Sequence, residues 1–199
     1  GFSCHIIGHE AVLDPVSFDL QGPDRRELRR KLAHCAKAGV TVLPHENGAL
    51  PLDEMADLAA DWSKAHHGER GFSMAKFTPG HCDKYQFHLA WQGRRLLGFV
   101  GVWRGVAVHG VDLMRLSPDA CDGVMHALIH SAVSKAADMG IRRFSLSSVP
   151  FLNFDHPTSL TELCSALIYR YRPQWHAAQG LYRFKNSFRP QWEPLFLCI

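Results

Sequence analysis

Between Tyr85 and Met114 the chain runs through three apolar, β-branched and aromatic segments separated by two short glycine-bearing breaks. Tyr85–Trp91, Arg95–Trp103 and Val106–Met114 read as consecutive strands, and Gln92-Gly93 and Arg104-Gly105 fit tight hairpin turns. Breaks this short leave no room for a crossover, so neighbouring strands must run antiparallel. Directly afterwards Val124, Met125, Leu128, Ile129, Val133, Ala136 and Met139 recur at helical spacing. Asp122 reads as the cap of that helix and Gly140 as its stop, and Arg143–Val149 is the next strand. A meander, then a helix, then a strand is incompatible with an all-helical bundle and with a parallel doubly wound sheet.

The flanks add further elements. Ala11–Leu13 and Ser17–Leu20 read as extended, broken by Asp14-Pro15. Pro23-Asp24 opens a helix that runs to about Ala38 and is stopped by Gly39. Val40–Leu43 is a short strand, Leu52 to Ala65 an amphipathic helix through Leu52, Met55, Leu58, Ala59 and Trp62, and Phe72–Phe77 a further strand. Leu160–Tyr171 and Ala178–Ser187 read as helices and Pro194–Cys198 as a last strand. The expectation is one α/β domain over residues 1–199, with a mixed, mostly antiparallel central sheet of six or seven strands flanked by helices at 25–38, 52–65 and 123–139.

Several function classes fall away. No apolar run approaches the length that spans a bilayer, and the first residues lack the features of a signal peptide. The chain begins with Gly, which suggests a fragment of a larger membrane protein. Six cysteines are spread about evenly with no CxxC, so neither a zinc ribbon nor a disulfide-stapled domain is expected, and the thiols are expected to be reduced. His126 and His130 have the spacing of zinc ligands on a helix, but Ala127 stands where HExxH needs its Glu, and no metal site is expected. There is no Gly-x-Ser-x-Gly elbow and no P-loop.

Charge in apolar surroundings marks the candidate site. Asp112 lies inside the third strand of the meander and Arg115 ends it. An ionised carboxylate there is costly unless it is paired or does chemistry, so the two are either a structural ion pair or part of a site. Arg25, Arg26, Arg29, Arg30 and Lys31 cluster on one helix. From Ser165 onward five basic residues, Arg183 and Lys185 among them, face one acid, Glu193. Such patches suit a polyanion or form a solvated face. Phe184, Phe188 and Trp192 recur at four-residue spacing and read as core.

Several of these segments carry a family resemblance. Asp112-Leu113-Met114-Arg115, Ser117-Pro118-Asp119-Ala120, Gly123-Val124-Met125, Gly140 to Leu146, Gly180-Leu181-Tyr182-Arg183-Phe184-Lys185 and Phe188 to Pro194 follow in a fixed order. With Glu10-Ala11-Val12, Phe18 to Gly22, Arg25 to Arg30 and Gly68 to Ser73, they resemble the C-terminal cytosolic domain of the bacterial phosphatidylglycerol aminoacyltransferases, from about Glu10 to about Phe196. Members typically carry two tandem acetyltransferase-like (GNAT-like) folds behind a membrane-spanning region, and this chain resembles the second.

The resemblance implies transfer of a lysyl or alanyl group from aminoacyl-tRNA to a hydroxyl of phosphatidylglycerol, at the cytoplasmic face of the bacterial inner membrane. The donor ester is already activated, so no cofactor is implied. Asp112 is the candidate to hold the substrate ammonium, with Arg115 and Arg183 as candidates to bind phosphate. Lys185 is placed to bind phosphate or to stabilise the oxyanion. His67, Glu69 and Arg70 are further substrate-binding candidates. Asp112 and Arg115 are expected to reach one cleft, with the basic C-terminal segment folded over it. Acetyltransferase-like folds ordinarily hold acyl-coenzyme A at a glycine-rich helix N-terminus. The corresponding stretch here, Leu116 to Gly123, has one glycine, a proline and two acids, which disfavours that cofactor. Ser147-Ser148-Val149-Pro150-Phe151 stands where relatives usually carry a Gly-Met-Ala-Pro-Leu-like segment, so the transferred amino acid stays open, as do an acyl-CoA-dependent transferase and a non-catalytic lipid- or tRNA-binding relative.

Overall fold

A computed structural model describes residues 4–45, 49–65, 75–150 and 174–198. Their elements in chain order are β1 (Cys4–Leu13), α1 (Arg26–Lys37), β2 (Val40–Pro44), α2 (Leu52–Ala65), β3 (Tyr85–Gln92), β4 (Arg95–Arg104), β5 (Val108–Leu116), α3 (Val124–Asp138), β6 (Arg143–Pro150), α4 (Gln174–Asn186) and β7 (Gln191–Cys198). The seven strands are mostly antiparallel, and the order meander, helix, strand is the one expected of an acetyltransferase-like α/β fold. The described residues form two compact units, one from Asp14 to Phe144 and the other from the segments up to Leu13 and from Ser145 on.

In the first unit the strand order is β2-β3-β4-β5, antiparallel throughout. Alternation along β3 assigns its faces. Phe87 and Leu89 point into a core with Met55, Leu58 and Ala59 of α2 and with Phe77, Phe99 and Leu113. His88, between them, faces the other way, and its Nδ1 lies 2.8 Å from the Ser131 hydroxyl on α3. Thus α2 covers one face, and α3 covers the other through Val124, Leu128, Ala132, Val133 and Ala136, all at most 2% exposed. The aromatic cluster is tilted or edge-on, with Phe77 and Phe99 ring centroids 5.2 Å apart, the geometry ring quadrupoles favour.

The β4–β5 ladder contains a bulge that positions the site. Gly101 opposes Leu113 and Val102 opposes Val111, so Asp112 is an extra residue on β5. Bulges turn a side chain away from its alternating direction. Asp112 accordingly meets Tyr85, which packs against the α2-side core together with Phe87.

The second unit has the strand order β6-β1-β7. Strands β1 and β7 pair antiparallel from Cys4 opposite Cys198 to Val12 opposite Gln191, with Ile7 as an extra residue on β1. The α4–β7 corner closes around Phe188, which is fully buried, with Phe184 edge-on to it at 5.8 Å and Tyr182 on Trp192 at 5.1 Å. Phe188 is core, as the spacing predicts, Phe184 is part-buried against it, and Trp192 lies on β7 rather than on a continuing helical stripe.

Other expectations are corrected. Ser17–Leu20 is not a strand: the Asp14 carboxylate accepts from the Val16 amide and the Asp19 carboxylate from the Gln21 amide, local turns that compete with a ladder. β1 instead extends back to Cys4, because β7 gives those residues a partner. Residues 75–78 form no strand, and the start of that predicted strand lies outside the described residues, as does the helix expected at Leu160–Tyr171. The N-cap of α3 is Gly123, not Asp122; the Asp122 carboxylate is drawn off to Lys31 Nζ at 2.8 Å. Cys4 and Cys198 form a disulfide, against the expectation of reduced thiols, because the antiparallel register sets them directly opposite with Cα atoms 4.1 Å apart. Among the described residues Cys35, Cys82 and Cys121 are free thiols.

Candidate functional site

Two polar centres stand out in otherwise apolar packing, one in each unit. In the first, the Tyr85 hydroxyl donates to Asp112 Oδ2 at 2.7 Å. Burial, with the carboxylate beside it, pushes the Tyr85 phenol up to about 12, so it stays a donor at any working pH. One oxygen of Asp112 is thereby held in a fixed direction. Arg115 is three residues on and fully buried. Its guanidinium donates to the carbonyls of Met114, at 3.0 Å, and Ala75, at 2.9 Å, and lies over the Trp62 ring at 4.4 Å. This is a planar cation used to tie β5, α2 and the segment at Ala75 together. Beside that segment an open groove of about 410 Å³ runs between Ala56, Ala59 and Ser63 of α2 and Lys76, Phe77 and Pro79.

The second centre surrounds Lys185. Its side chain is 1% exposed, and Nζ donates to the Ser148 carbonyl at 2.9 Å. Burial lowers its pKa to about 7, against a smaller opposing pull from the Glu10 carboxylate on β1. The Ser145 hydroxyl donates to Glu10 Oε1 at 2.5 Å and accepts from the Ser147 amide at 2.9 Å. Ser147 itself has φ 68°, a left-handed conformation costly for a residue with a β-carbon. Arg183, about 200° round α4 from Lys185, is exposed.

Of the residues singled out in the sequence, Asp112 and Arg115 belong to the first unit and Arg183 and Lys185 to the second. His67, Glu69 and Arg70 lie outside the described residues. Sequence reasoning passed over Tyr85, Glu10, Ser145 and Ser147 as site residues. The one available signal was Ser147-Ser148 in place of a glycine-containing segment. Other candidates have plain structural surroundings. His126 is buried near Lys31 and Asp122, its pKa lowered to about 4 chiefly by desolvation, and the His130 ring packs on Phe18. In the basic cluster of α1, Lys31 pairs with Asp122, Arg29 donates to the Leu20 and Gly22 carbonyls, and Arg25 covers the Phe18 ring.

The start of α3, where the acetyltransferase fold would hold a pyrophosphate, does not fit one. A β-carbon on Gly123 would collide with the Lys31 carbonyl of α1, so the backbone of another helix crowds that terminus. Asp119 and Asp122 stand in the two turns just before it, paired with Arg95 and Lys31, and put carboxylates where an anion would sit.

The fold is mixed, mostly antiparallel α/β, with an oriented carboxylate at a bulge in the first unit and a buried amine in the second. The model of the family "Phosphatidylglycerol lysyltransferase, C-terminal" matches residues 1–199, and the chain belongs to that family. It is 32% identical over 210 residues to the lysylphosphatidylglycerol biosynthesis bifunctional protein LysX of Mycolicibacterium vanbaalenii, across all of this chain and 19% of that protein. The corresponding protein of Mycobacterium tuberculosis H37Rv is 29% identical, again across the whole chain and 18% of its own length. Among solved structures, a C-terminal domain assigned to lysylphosphatidylglycerol synthetase from Agrobacterium fabrum superposes with a TM-score of 0.82 at 25% identity, covering all of this chain and 61% of that one. L-PGS from Bacillus licheniformis shares the fold, with a TM-score of 0.75 at 22% identity over 100% of this chain and 61% of that one. The chain therefore spans about a fifth of the length of these curated relatives.

Proposed function

We propose that this chain carries out lysyl transfer from lysyl-tRNA to a hydroxyl of phosphatidylglycerol. The observation that carries this reading is the family match along the whole of residues 1–199. In the reaction the lipid hydroxyl attacks the aminoacyl ester carbonyl, a new ester bond forms to the lipid, and the tRNA ribose oxygen leaves. Asp112, held by Tyr85, pairs with an ammonium of the lysyl group. Lys185, whose pKa of about 7 leaves both protonation states populated near neutrality, takes the hydroxyl proton and returns it to the leaving oxygen. Arg115, with its donors on two carbonyls, keeps β5 and the Ala75 segment in register for Asp112. Arg183, exposed on α4, meets phosphate of the lipid or of the tRNA terminus, and His67, Glu69 and Arg70 complete the substrate-binding set.

Among the described residues no helix is long and apolar enough to cross a membrane. The proposed setting is the cytoplasmic face of the bacterial inner membrane, where aminoacyl-tRNA and the lipid headgroup meet. The test is transfer of radiolabel from lysyl-tRNA to phosphatidylglycerol vesicles, with alanyl-tRNA and acetyl-coenzyme A run in parallel. Label appearing in lipid from lysyl-tRNA is the expected result; transfer from acetyl-coenzyme A alone would assign the chain to the ordinary acyltransferases.

A further inference from the structure

The buried amine of Lys185 depends on a chain of hydrogen bonds that begins on a different strand. Lys185 Nζ binds the Ser148 carbonyl at 2.9 Å, and that carbonyl follows directly on Ser147, held at φ 68°. A left-handed serine persists only if its surroundings over-determine it. Here the Ser147 amide is held by the Ser145 hydroxyl at 2.9 Å, and that hydroxyl is itself anchored on Glu10 Oε1 at 2.5 Å. The Ser145 hydroxyl both accepts from the Ser147 amide and donates to a carboxylate, so these two linked bonds strengthen each other.

We infer that Glu10 is a positioning residue for Lys185: its carboxylate fixes the Ser145–Ser148 stretch of β6 that receives the amine, and its charge favours the ammonium form. The inference rests on the lysyl-transfer reading above only for its kinetic consequence. Among the described residues, Glu10 on β1 is the charged group whose charge acts on Lys185. Glu193 on β7 stands opposite Glu10 in the ladder, and Arg183 on α4 and Arg189 beyond it are exposed. Glu10 thus offsets part of the desolvation that disfavours the ammonium, and leaves the amine able to hold or release a proton near neutrality.

The test compares the wild type with Glu10→Gln and Glu10→Asp in the intact protein. Gln keeps an oxygen for the Ser145 hydroxyl and removes only the charge; Asp keeps the charge and withdraws it by one methylene. Competitive acetylation of Lys185 against pH, read by peptide mass spectrometry, reports the amine directly and needs no turnover. The Lys185 midpoint is expected to fall by about one unit in Glu10→Gln, the effect of losing one nearby opposite charge, and by less in Glu10→Asp. The limb of the pH–kcat profile set by Lys185 should move with it, while KM for the lipid stays unchanged. A midpoint unmoved or raised in both variants overturns the inference, including the case where only the Asp variant folds. Wild type that labels as expected but transfers no lysyl group would sink the lysyl-transfer reading and leave the Glu10–Lys185 coupling standing.

Discussion

At the scale of single residues, burial moves the pKa of two candidate groups, Tyr85 upward and Lys185 downward. Asp112→Asn should lower kcat/KM by on the order of 10²-fold or more, as for loss of a charged group aimed at the substrate. Tyr85→Phe keeps the charge and frees its orientation, so a loss of roughly tenfold is expected from one hydrogen bond. Steady-state kinetics on both variants separates charge from aim, and equal losses would refute the role given to Tyr85. Lys185 also leaves a mark on stability. Its folded pKa of about 7 lies below the ordinary 10.5, so between those values the unfolded chain binds more protons than the folded one. Stability should therefore rise as pH climbs from about 7 toward 10, and below 7 the full cost of the buried ammonium is present. Thermal melts of wild type against Lys185→Met should show the difference moving in favour of wild type across that window. Asp112 and Lys185 were singled out in the sequence because a charge in or beside an apolar run calls for a partner or for chemistry. Glu10, Ser145 and Ser147 were not, since hydroxyls and a carboxylate on strands signal nothing until the strands are paired.

At the scale of elements, packing decided what periodicity could not. The meander and α3 were legible because their alternation and helical spacing are local properties. The length of β1 was not, because residues from Cys4 onward become a strand only against β7. The same long-range register sets Cys4 opposite Cys198, which spacing along the chain cannot reveal. Asp122 is a good cap by type, yet its pairing with Lys31 of α1 outweighs capping, and Gly123 takes the cap position with φ 103°. That choice has a steric cause. A β-carbon at Gly123 would sit against the Lys31 carbonyl, whereas one at Gly140, φ 73°, would meet nothing within 4 Å. Gly140→Ala should thus cost only the left-handed backbone penalty, about 1–2 kcal/mol. Gly123→Ala must also push α1 off α3 and should cost clearly more, about 3 kcal/mol or above. Urea unfolding of the two variants checks the order, and equal losses would remove the close α1–α3 approach from the account.

At the scale of the whole molecule, the modest net charge of +3 hides two different uses of basic residues. On and just before α1 three cations serve the fold: Lys31 is bound to Asp122, Arg29 to the Leu20 and Gly22 carbonyls, and Arg25, before the helix, lies over Phe18, while Arg26 and Arg30 are exposed. On the C-terminal segment Arg183 is exposed in a stretch that carries five basic residues and one acid. A cation serving the fold and a cation serving a polyanion respond differently to salt. Binding of phosphate releases condensed counterions, so each phosphate contact adds to the slope of affinity against salt, by about 0.7 for single-stranded nucleic acid. Arg183→Ala should therefore weaken binding of lysyl-tRNA or of anionic vesicles, with a shallower salt dependence and an unchanged melting temperature. Arg29→Ala should do the reverse, lowering the melting temperature through two lost carbonyl contacts while leaving the salt slope as in wild type. Titrations between about 50 and 200 mM salt on both variants decide the matter. An unchanged slope in Arg183→Ala would return the C-terminal charge excess to the status of a solvated face.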